Sequence, residues 1–206
     1  GMHQWYRVLL LSISCLLSWN VTASSLSKVQ TLDGELSLNL SGIGIYKKHK
    51  KPIYLGALYQ KSLEQTEASL FREKNAKRMD LRIIEDNLSA KRFARELAHH
   101  IRMNNDKEFI GVQEGNVANF LRSFQGKFKR GDQILIEYNP DEGTVFVLNG
   151  KVLGRVIDPR FFSVLLNAWI GPKPPTEKFK RGILGQSTDQ EAIALQKEYS
   201  YLVQLL

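Results

Sequence analysis

Three tyrosines on two neighbouring segments rich in β-branched and aromatic residues are the side chains in this sequence best suited to holding a ligand. Tyr46 lies in the first segment, and Tyr54 and Tyr59 lie in the second. A phenol offers an apolar ring with one polar hydroxyl, which suits the lining of a cavity for a lipid-sized molecule. Packing in the hydrophobic core is the alternative interpretation for each ring.

Motifs for nucleotide and metal binding are incomplete. Gly42-Ile43-Gly44 has two of the glycines of a dinucleotide-binding loop. Such a loop leads from a strand into a helix, whereas these glycines lead into a second strand. His99 and His100 are adjacent, so on a helix they point about 100° apart, whereas metal ligands on one helix lie three or four residues apart. We therefore predict no nucleotide cofactor and no metal.

Residues for nucleophilic or acid–base catalysis do not stand out. The sequence contains no Gly-x-Ser-x-Gly turn, which marks one large class of hydrolases. The acidic pairs Glu85-Asp86 and Asp141-Glu142 fall at predicted strand ends or turns, where carboxylates are normally solvated. Arg130-Gly131-Asp132 has the composition of a turn before a strand. We therefore assign no catalytic residue.

The start of the chain predicts export. Arg7 precedes an apolar stretch from Val8 to Trp19, and Val21-Thr22-Ala23 has the small residues of a signal-peptidase site. This stretch is shorter than the ~20 residues of a membrane-spanning helix. We predict a signal peptide over residues 1–23, cleaved near Ala23, and a periplasmic protein; an uncleaved anchor is the alternative. Cys15 is the only cysteine, so the cleaved chain has no thiol for a disulfide or a zinc site.

The remaining chain has the size and composition of one globular domain. The full sequence of 206 residues is 43% hydrophobic and 24% charged, close to the average of folded proteins. The net charge of +8 implies attraction to an anionic surface, and charge alone does not choose among nucleic acid, another envelope polyanion and peripheral contact with an anionic membrane. The basic residues form short groups at 47–51, 127–130 and 178–181 rather than a stripe along one helix with interleaved aromatics, so we expect mainly solvated surface and no nucleic-acid site. The oligomeric state is left open.

Alternating and β-branched segments predict an antiparallel sheet. The basic turn 47–51 joins two strands into a hairpin. Later in the chain, an Asn-Pro-Asp-Glu-Gly turn and an Asn-Gly turn separate three strands, which predicts an antiparallel meander. The predicted strands are 36–40, 43–47, 53–59, 79–83, 133–138, 144–148 and 151–156.

Apolar residues and good helix formers, preceded in three cases by capping residues at Ser62, Ser89 and Thr188, predict six helices. They are expected at 62–75, 89–101, 116–124, 158–169, 176–184 and 188–206. Strands and helices form separate groups and do not alternate regularly. This grouping predicts an α+β fold in which helices cover one face of an antiparallel sheet.

A series of segments, taken in order, resembles the chalcone isomerase-like family and in particular its exported bacterial branch. The resemblance extends from about Leu32 to Gly185. It implies an open-faced β-sandwich, in which a large antiparallel sheet is packed by a layer of helices with a ligand cleft between them. The chain then divides into a leader, a domain over 24–185 and a C-terminal helical extension over 186–206. The segments that carry the resemblance are Gly44-Ile45-Tyr46-Lys47-Lys48, 53–59, Lys77-Arg78-Met79-Asp80-Leu81, 128–132, 149–154 and 161–174.

The sequence departs from the catalytic members of this family. Those enzymes close a flavanone ring with an Arg on an early strand, a Thr on the next strand, and a Tyr and an Asn elsewhere. Here Tyr54 lies at the Thr position and Gly42 lies near the Arg position. Without that cation, a developing oxyanion loses its main electrostatic stabilisation. The resemblance therefore implies a protein without ring-closing activity.

Non-catalytic relatives in this family bind fatty acids, with an Arg and a Tyr holding the carboxylate. The resemblance then gives the Tyr role to Tyr54 and leaves the cation to Arg82 or Arg122, with Tyr46 and Tyr59 as further lining residues. The leading hypothesis is a non-enzymatic exported protein that binds a small apolar ligand, such as a fatty acid, between sheet and helices. The alternatives are an isomerase with Tyr54 as acid or base, and a basic scaffold protein of the cell envelope.

Overall fold

The computed structural model describes residues 26–62, 64 and 66–206. The predicted signal peptide over residues 1–23, with its cleavage site near Ala23, lies outside the described residues. No helix in the described part of the chain combines the length and apolar character needed to cross a bilayer.

A large antiparallel sheet organises the molecule. Within the described ranges, the strands are β1 (Lys28–Gln30), β2 (Ser37–Lys48), β3 (Lys51–Gln60), β4 (Lys77–Ile83), β5 (Leu88–Ser89), β6 (Lys127–Phe128), β7 (Gln133–Asn139), β8 (Gly143–Leu148) and β9 (Lys151–Val156). Seven of them form one sheet in the order β1-β2-β3-β4-β7-β8-β9, and β5 pairs with β6. The predicted hairpin and the predicted meander are confirmed. The two strands predicted at 36–40 and 43–47 are one strand, β2, with a register shift between Leu40 and Gly42.

The helices of the described chain are α1 (Glu67–Leu70), α2 (Ala90–Asn104), α3 (Lys107–Arg122), α4 (Phe161–Ile170), α5 (Glu177–Ile183) and α6 (Asp189–Gln204). The predicted caps of α2 and α6, Ser89 and Thr188, are confirmed, and Thr176 caps α5 in the same way. The side-chain oxygens of Ser89, Thr176 and Thr188 each accept a hydrogen bond from the backbone N–H three residues later. These bonds satisfy donors that a helix start otherwise leaves unpaired.

Strand β3 is buried on both faces of the sheet. Tyr54 and Leu58 belong to the core that the sheet forms with α2 to α5. Leu55, Ala57 and Tyr59 belong to a second core on the opposite face. A strand buried on both faces has no polar alternation, which explains the continuous apolar run of this segment.

The predicted α+β fold is confirmed, with a large antiparallel sheet packed by a layer of helices. Phe93 on α2, Phe120 on α3 and Phe179 on α5 contribute to that helix layer. The expectation that helices cover only one face is wrong. Helix α6 lies on the opposite face, where Tyr199 and Leu202 pack into the second core.

The prediction of a helix over 62–75 is wrong in length. Helix α1 has four residues and is capped by Thr66. The buried Lys77 ammonium donates hydrogen bonds to two backbone carbonyls at the end of α1. One belongs to Leu70, the last residue of the helix, and the other, at 3.1 Å, belongs to Arg72. A side chain thus satisfies the carbonyls that another helical turn would have paired.

Helix α3 is longer than predicted and begins earlier. Asp106 caps it by accepting a hydrogen bond from the backbone N–H of Phe109 at 2.8 Å. The predicted start at Asn116 missed residues 107–115, which include Gly111 and Gly115, and glycine disfavours helix interiors.

Helix α5 lies directly on the backbone of β2, and Gly42-Ile43-Gly44 is the reason. A Cβ atom on Gly42 would lie 2.2 Å from the carbonyl oxygen of Gly182, and one on Gly44 would lie 2.5 Å from the carbonyl oxygen of Phe179. Both distances are far below van der Waals contact. The glycine pair that partly matched a nucleotide-binding loop therefore permits close packing of helix and strand.

Replacing Gly44 with Ala is expected to destabilise the protein by about 1–3 kcal/mol, because the added methyl group overlaps a backbone atom that cannot move independently of α5. Gly115→Ala is the matched control. A Cβ there meets no atom within 4 Å, and Ala in a helix interior is expected to stabilise by roughly 0.5–1 kcal/mol. Urea unfolding measures both changes. Equal stability of the two variants would contradict the close-packing interpretation.

Candidate functional site

Tyr46 and Tyr54 lie directly opposite each other on β2 and β3, on the face covered by the helix layer. Their ring centroids are 5.0 Å apart. The rings of Phe93 and Phe179 stand edge-on to Tyr54 at 6.0 and 5.8 Å. Tyr54 therefore points inward, and aromatic side chains fill the space around its ring.

Both phenols stay protonated near neutral pH. Burial raises the pKa of Tyr46 to about 12, and the carboxylate of Glu96 adds to this effect. Burial raises the pKa of Tyr54 further above its ordinary value, with smaller contributions from Tyr46 and Glu96. Neither hydroxyl has a hydrogen-bond partner within residues 26–62, 64 and 66–206. Each phenol is therefore a neutral hydrogen-bond donor that is available to a ligand.

A pocket of about 460 Å³ lies between the tip of the β2–β3 hairpin and helix α2. The Glu96 carboxylate in this pocket is paired with Lys48 at 2.8 Å. By contrast, Arg95 and Arg102 have no ion-pair partner among the described residues. The pocket therefore combines unbalanced positive charge with a neutral phenol, an arrangement that attracts an anionic group. It is lined by Tyr46, Lys48, Arg95, Glu96, His99, His100 and Arg102.

His100 forms part of the pocket wall. Its ring stands edge-on to Tyr46 at 6.4 Å. Burial lowers its pKa below 6.5; His99 and Lys48 act in the same direction and Glu96 opposes them. His99 is exposed and His100 is partly buried, so the two adjacent side chains diverge as their positions on a helix predict. Among the described residues, no cluster of His, Cys, Asp and Glu side chains could hold a metal ion.

The lowered pKa of His100 makes part of the stability pH-dependent. The folded state binds this proton less tightly than the unfolded state, so the free energy of unfolding should fall as the pH drops below 6.5. When the pH is lowered from about 7.5 to about 5.5, we expect the free energy of unfolding of His100→Asn to fall less than that of the wild type, as measured by urea unfolding. His49→Asn, which removes an exposed imidazole, should keep the wild-type pH dependence. Identical profiles for the wild type and His100→Asn would contradict this assignment.

Helix α2 carries a basic stripe that sequence analysis missed. Lys91, Arg95, His99 and Arg102 follow one another at intervals of four, four and three residues, which places them on one side of a helix. The interpretation that basic residues occur only in short groups is wrong for this helix. The spacing was visible in the sequence, but the position of the stripe beside the hairpin is a tertiary feature.

Tyr59 and Arg82 lie on the opposite face of the sheet from Tyr54. The Tyr59 hydroxyl donates to the carbonyl of Leu26 at 2.6 Å and lies 3.2 Å from the Tyr199 hydroxyl. Arg82 donates to the buried Asp80 carboxylate at 3.0 Å. These two candidate residues therefore belong to a buried polar cluster beneath α6 and do not meet Tyr46 or Tyr54.

The hydrogen bond from Tyr199 to Asp80, 2.8 Å long, attaches α6 to the sheet. Tyr199→Phe should therefore destabilise the protein by about 1.5–3 kcal/mol, the range for a hydrogen bond to a charged group. Tyr201→Phe on the same helix is the control, because that ring is 51% exposed and such a change typically costs less than about 0.5 kcal/mol. Thermal or urea unfolding distinguishes the two, and similar losses would show that the buried bond contributes little.

Arg122 lies at the C-terminal end of α3, away from the tyrosines. It borders a separate pocket of about 320 Å³ together with Asn119, Ser123 and Leu153. The five candidate residues from sequence analysis therefore occupy three places. Tyr46 and Tyr54 come together on one face of the sheet, Tyr59 and Arg82 on the other, and the cations that line the pocket with Tyr46 are Lys48, Arg95 and Arg102.

Comparison with known proteins places the fold. Residues 20–185 match the chalcone isomerase-like family, and because this match spans most of the sequence, the chain belongs to that family. Among solved structures, a fatty-acid binding protein of Arabidopsis thaliana is similar with a TM-score of 0.52 at 14% identity, over 82% of this chain and 99% of that chain. At this identity the similarity shows the fold alone. A comparison with curated protein sequences gives no match.

Proposed function

We propose that the protein binds a small, largely apolar acid such as a fatty acid, without catalysing its conversion. The observation that carries this proposal is the cationic pocket beside Tyr46. Its volume of about 460 Å³ lies within the usual range for small-molecule sites. The solved relative is a fatty-acid binding protein, which supports the same class of ligand.

In the proposed complex, the carboxylate lies between Arg95 and Arg102, and the adjoining part of the alkyl chain contacts the ring of Tyr46. Guanidinium groups form strong, directional hydrogen bonds with carboxylates. A longer chain enters further by parting the rings of Tyr54 and Phe179, so that its methylene groups contact both rings. Uptake of a long chain is thus coupled to a shift in the aromatic layer.

The protonation state of the tyrosines supports binding over catalysis. Burial keeps Tyr46 and Tyr54 protonated, so neither phenol is an effective base near neutral pH. A neutral hydroxyl donates readily to a carboxylate. The hypothesis of export rests on residues 1–23 and stays a prediction.

Calorimetric titration with dodecanoate tests the proposal. The double variant Arg95→Gln with Arg102→Gln should weaken binding at least about tenfold, because each charge-assisted hydrogen bond lost is worth more than the ~1.4 kcal/mol of a tenfold change. Tyr54→Phe should weaken binding less and leave the unliganded fold intact, since its hydroxyl has no partner in the described chain.

Two controls make this result specific. Arg122→Gln removes a guanidinium from the separate pocket at the end of α3 and should leave the affinity unchanged. Dodecanol has the same chain without the carboxylate, so it should bind the double variant and the wild type with the same affinity. Weaker dodecanoate binding in Arg122→Gln, with wild-type affinity in the double variant, would place the ligand elsewhere. Absence of dodecanoate binding to the wild type would refute the proposed function.

A further inference from the structure

The turn at the tip of the β2–β3 hairpin has an unusual composition for its geometry. His49 and Lys50 form a two-residue turn between the paired residues Lys48 and Lys51, with φ angles of 50° and 65°. Turns with positive φ at both positions strongly favour Asn-Gly, because other side chains are strained there. The β8–β9 turn of the same chain has this backbone with Asn149-Gly150, at 48° and 81°. The hairpin tip therefore carries a basic side chain at a position where the backbone disfavours it.

The hairpin tip is joined to the basic stripe of α2. Lys48 pairs with Glu96 at 2.8 Å, and Lys51 pairs with Glu85 at 3.2 Å. The Lys48–Glu96 pair holds the tip beside α2, whose Arg95 and Arg102 line the pocket. Lys50 lies at the tip, and Lys91 lies one helical turn before Arg95. None of these four cations has an ion-pair partner in the described chain. We name them the basic rim: Lys50, Lys91, Arg95 and Arg102.

We propose that the basic rim docks on an anionic phospholipid surface, with the mouth of the pocket turned toward the bilayer. This inference rests on the proposed function in one respect, since the bilayer would be the source or destination of the bound acid. Unpaired surface cations gain most from a dense layer of anionic headgroups. Backbone strain kept at an exposed tip points to a role for its side chains in contact with a partner.

A membrane fits this surface better than a nucleic acid does. Proteins that bind single strands combine positive charge with exposed aromatic rings on which bases stack. The tyrosine of this surface, Tyr46, is only 6% exposed. The basic rim instead consists of long, flexible cationic side chains on α2 and at the hairpin tip, which suit mobile headgroups.

Sedimentation with phosphatidylcholine vesicles, with and without phosphatidylglycerol, tests the docking. The wild type should bind only the anionic vesicles and should dissociate at high salt. The lysine double variant Lys50→Glu with Lys91→Glu should bind them more than about tenfold more weakly. The control carries the same charge change on exposed lysines elsewhere, Lys151→Glu and Lys197→Glu, and should retain at least half of the bound fraction. Equal losses in these two variants would mean that net charge alone drives binding and would overturn the proposal.

A second variant removes the strain together with the charge. His49→Asn with Lys50→Gly gives the tip the sequence of the β8–β9 turn. Its melting temperature should rise. Its binding to anionic vesicles should weaken about fivefold, because one cation near such a surface contributes about 1 kcal/mol to binding. Unchanged vesicle binding in this stabilised variant would overturn the proposal.

Dodecanoate titration without vesicles separates this inference from the proposed function. Lys50 and Lys91 do not line the pocket, so the lysine double variant should bind dodecanoate as the wild type does. Vesicle docking without dodecanoate binding would refute the proposed function and leave the docking surface standing. Dodecanoate binding without rim-dependent docking would refute only the docking. Binding of the rim to duplex DNA in place of anionic vesicles would overturn the choice of partner.

Discussion

The contact between helix α5 and strand β2 sets the geometry of the ligand-facing side of the sheet. Glycines at 42 and 44 let the helix backbone approach the strand backbone more closely than any side chain would allow. This approach brings the ring of Phe179 onto Tyr54. The inner end of the candidate site is thereby closed by aromatic rings, and the open volume lies at its outer end, beside Tyr46.

From the mouth of this site inward, charge decreases and burial increases. Solvated cations of α2 and the hairpin tip lie outermost, Tyr46 follows, and Tyr54 lies deepest among aromatic rings. A carboxylate keeps most of its solvation at the mouth, where guanidinium groups replace part of its water shell. The apolar end of the same molecule has its most favourable position further in. The order of these environments matches the two ends of an amphiphilic acid.

Local patterns in the sequence predicted most of the sheet and of the helix layer, because alternation and turn composition are properties of short segments. The Asn-Gly turn at 149–150 and the caps at Ser89 and Thr188 are examples. The errors arose where tertiary contacts decide the outcome. Lys77 ends α1 from a neighbouring strand. The pocket escaped detection because it depends on how α2 lies beside the hairpin, although the resemblance to the family directed attention to the correct pair of strands.

Burial of β3 on both faces has a consequence for how such a protein can diversify. Almost every side chain of this strand is committed to one of two cores, so a substitution there alters packing before it alters recognition. The solvent-exposed residues of α2 and of the hairpin tip, such as Arg95 and Lys50, belong to neither core. New ligand preferences can therefore evolve at the rim of the site at low cost to folding, while the inner strand remains fixed.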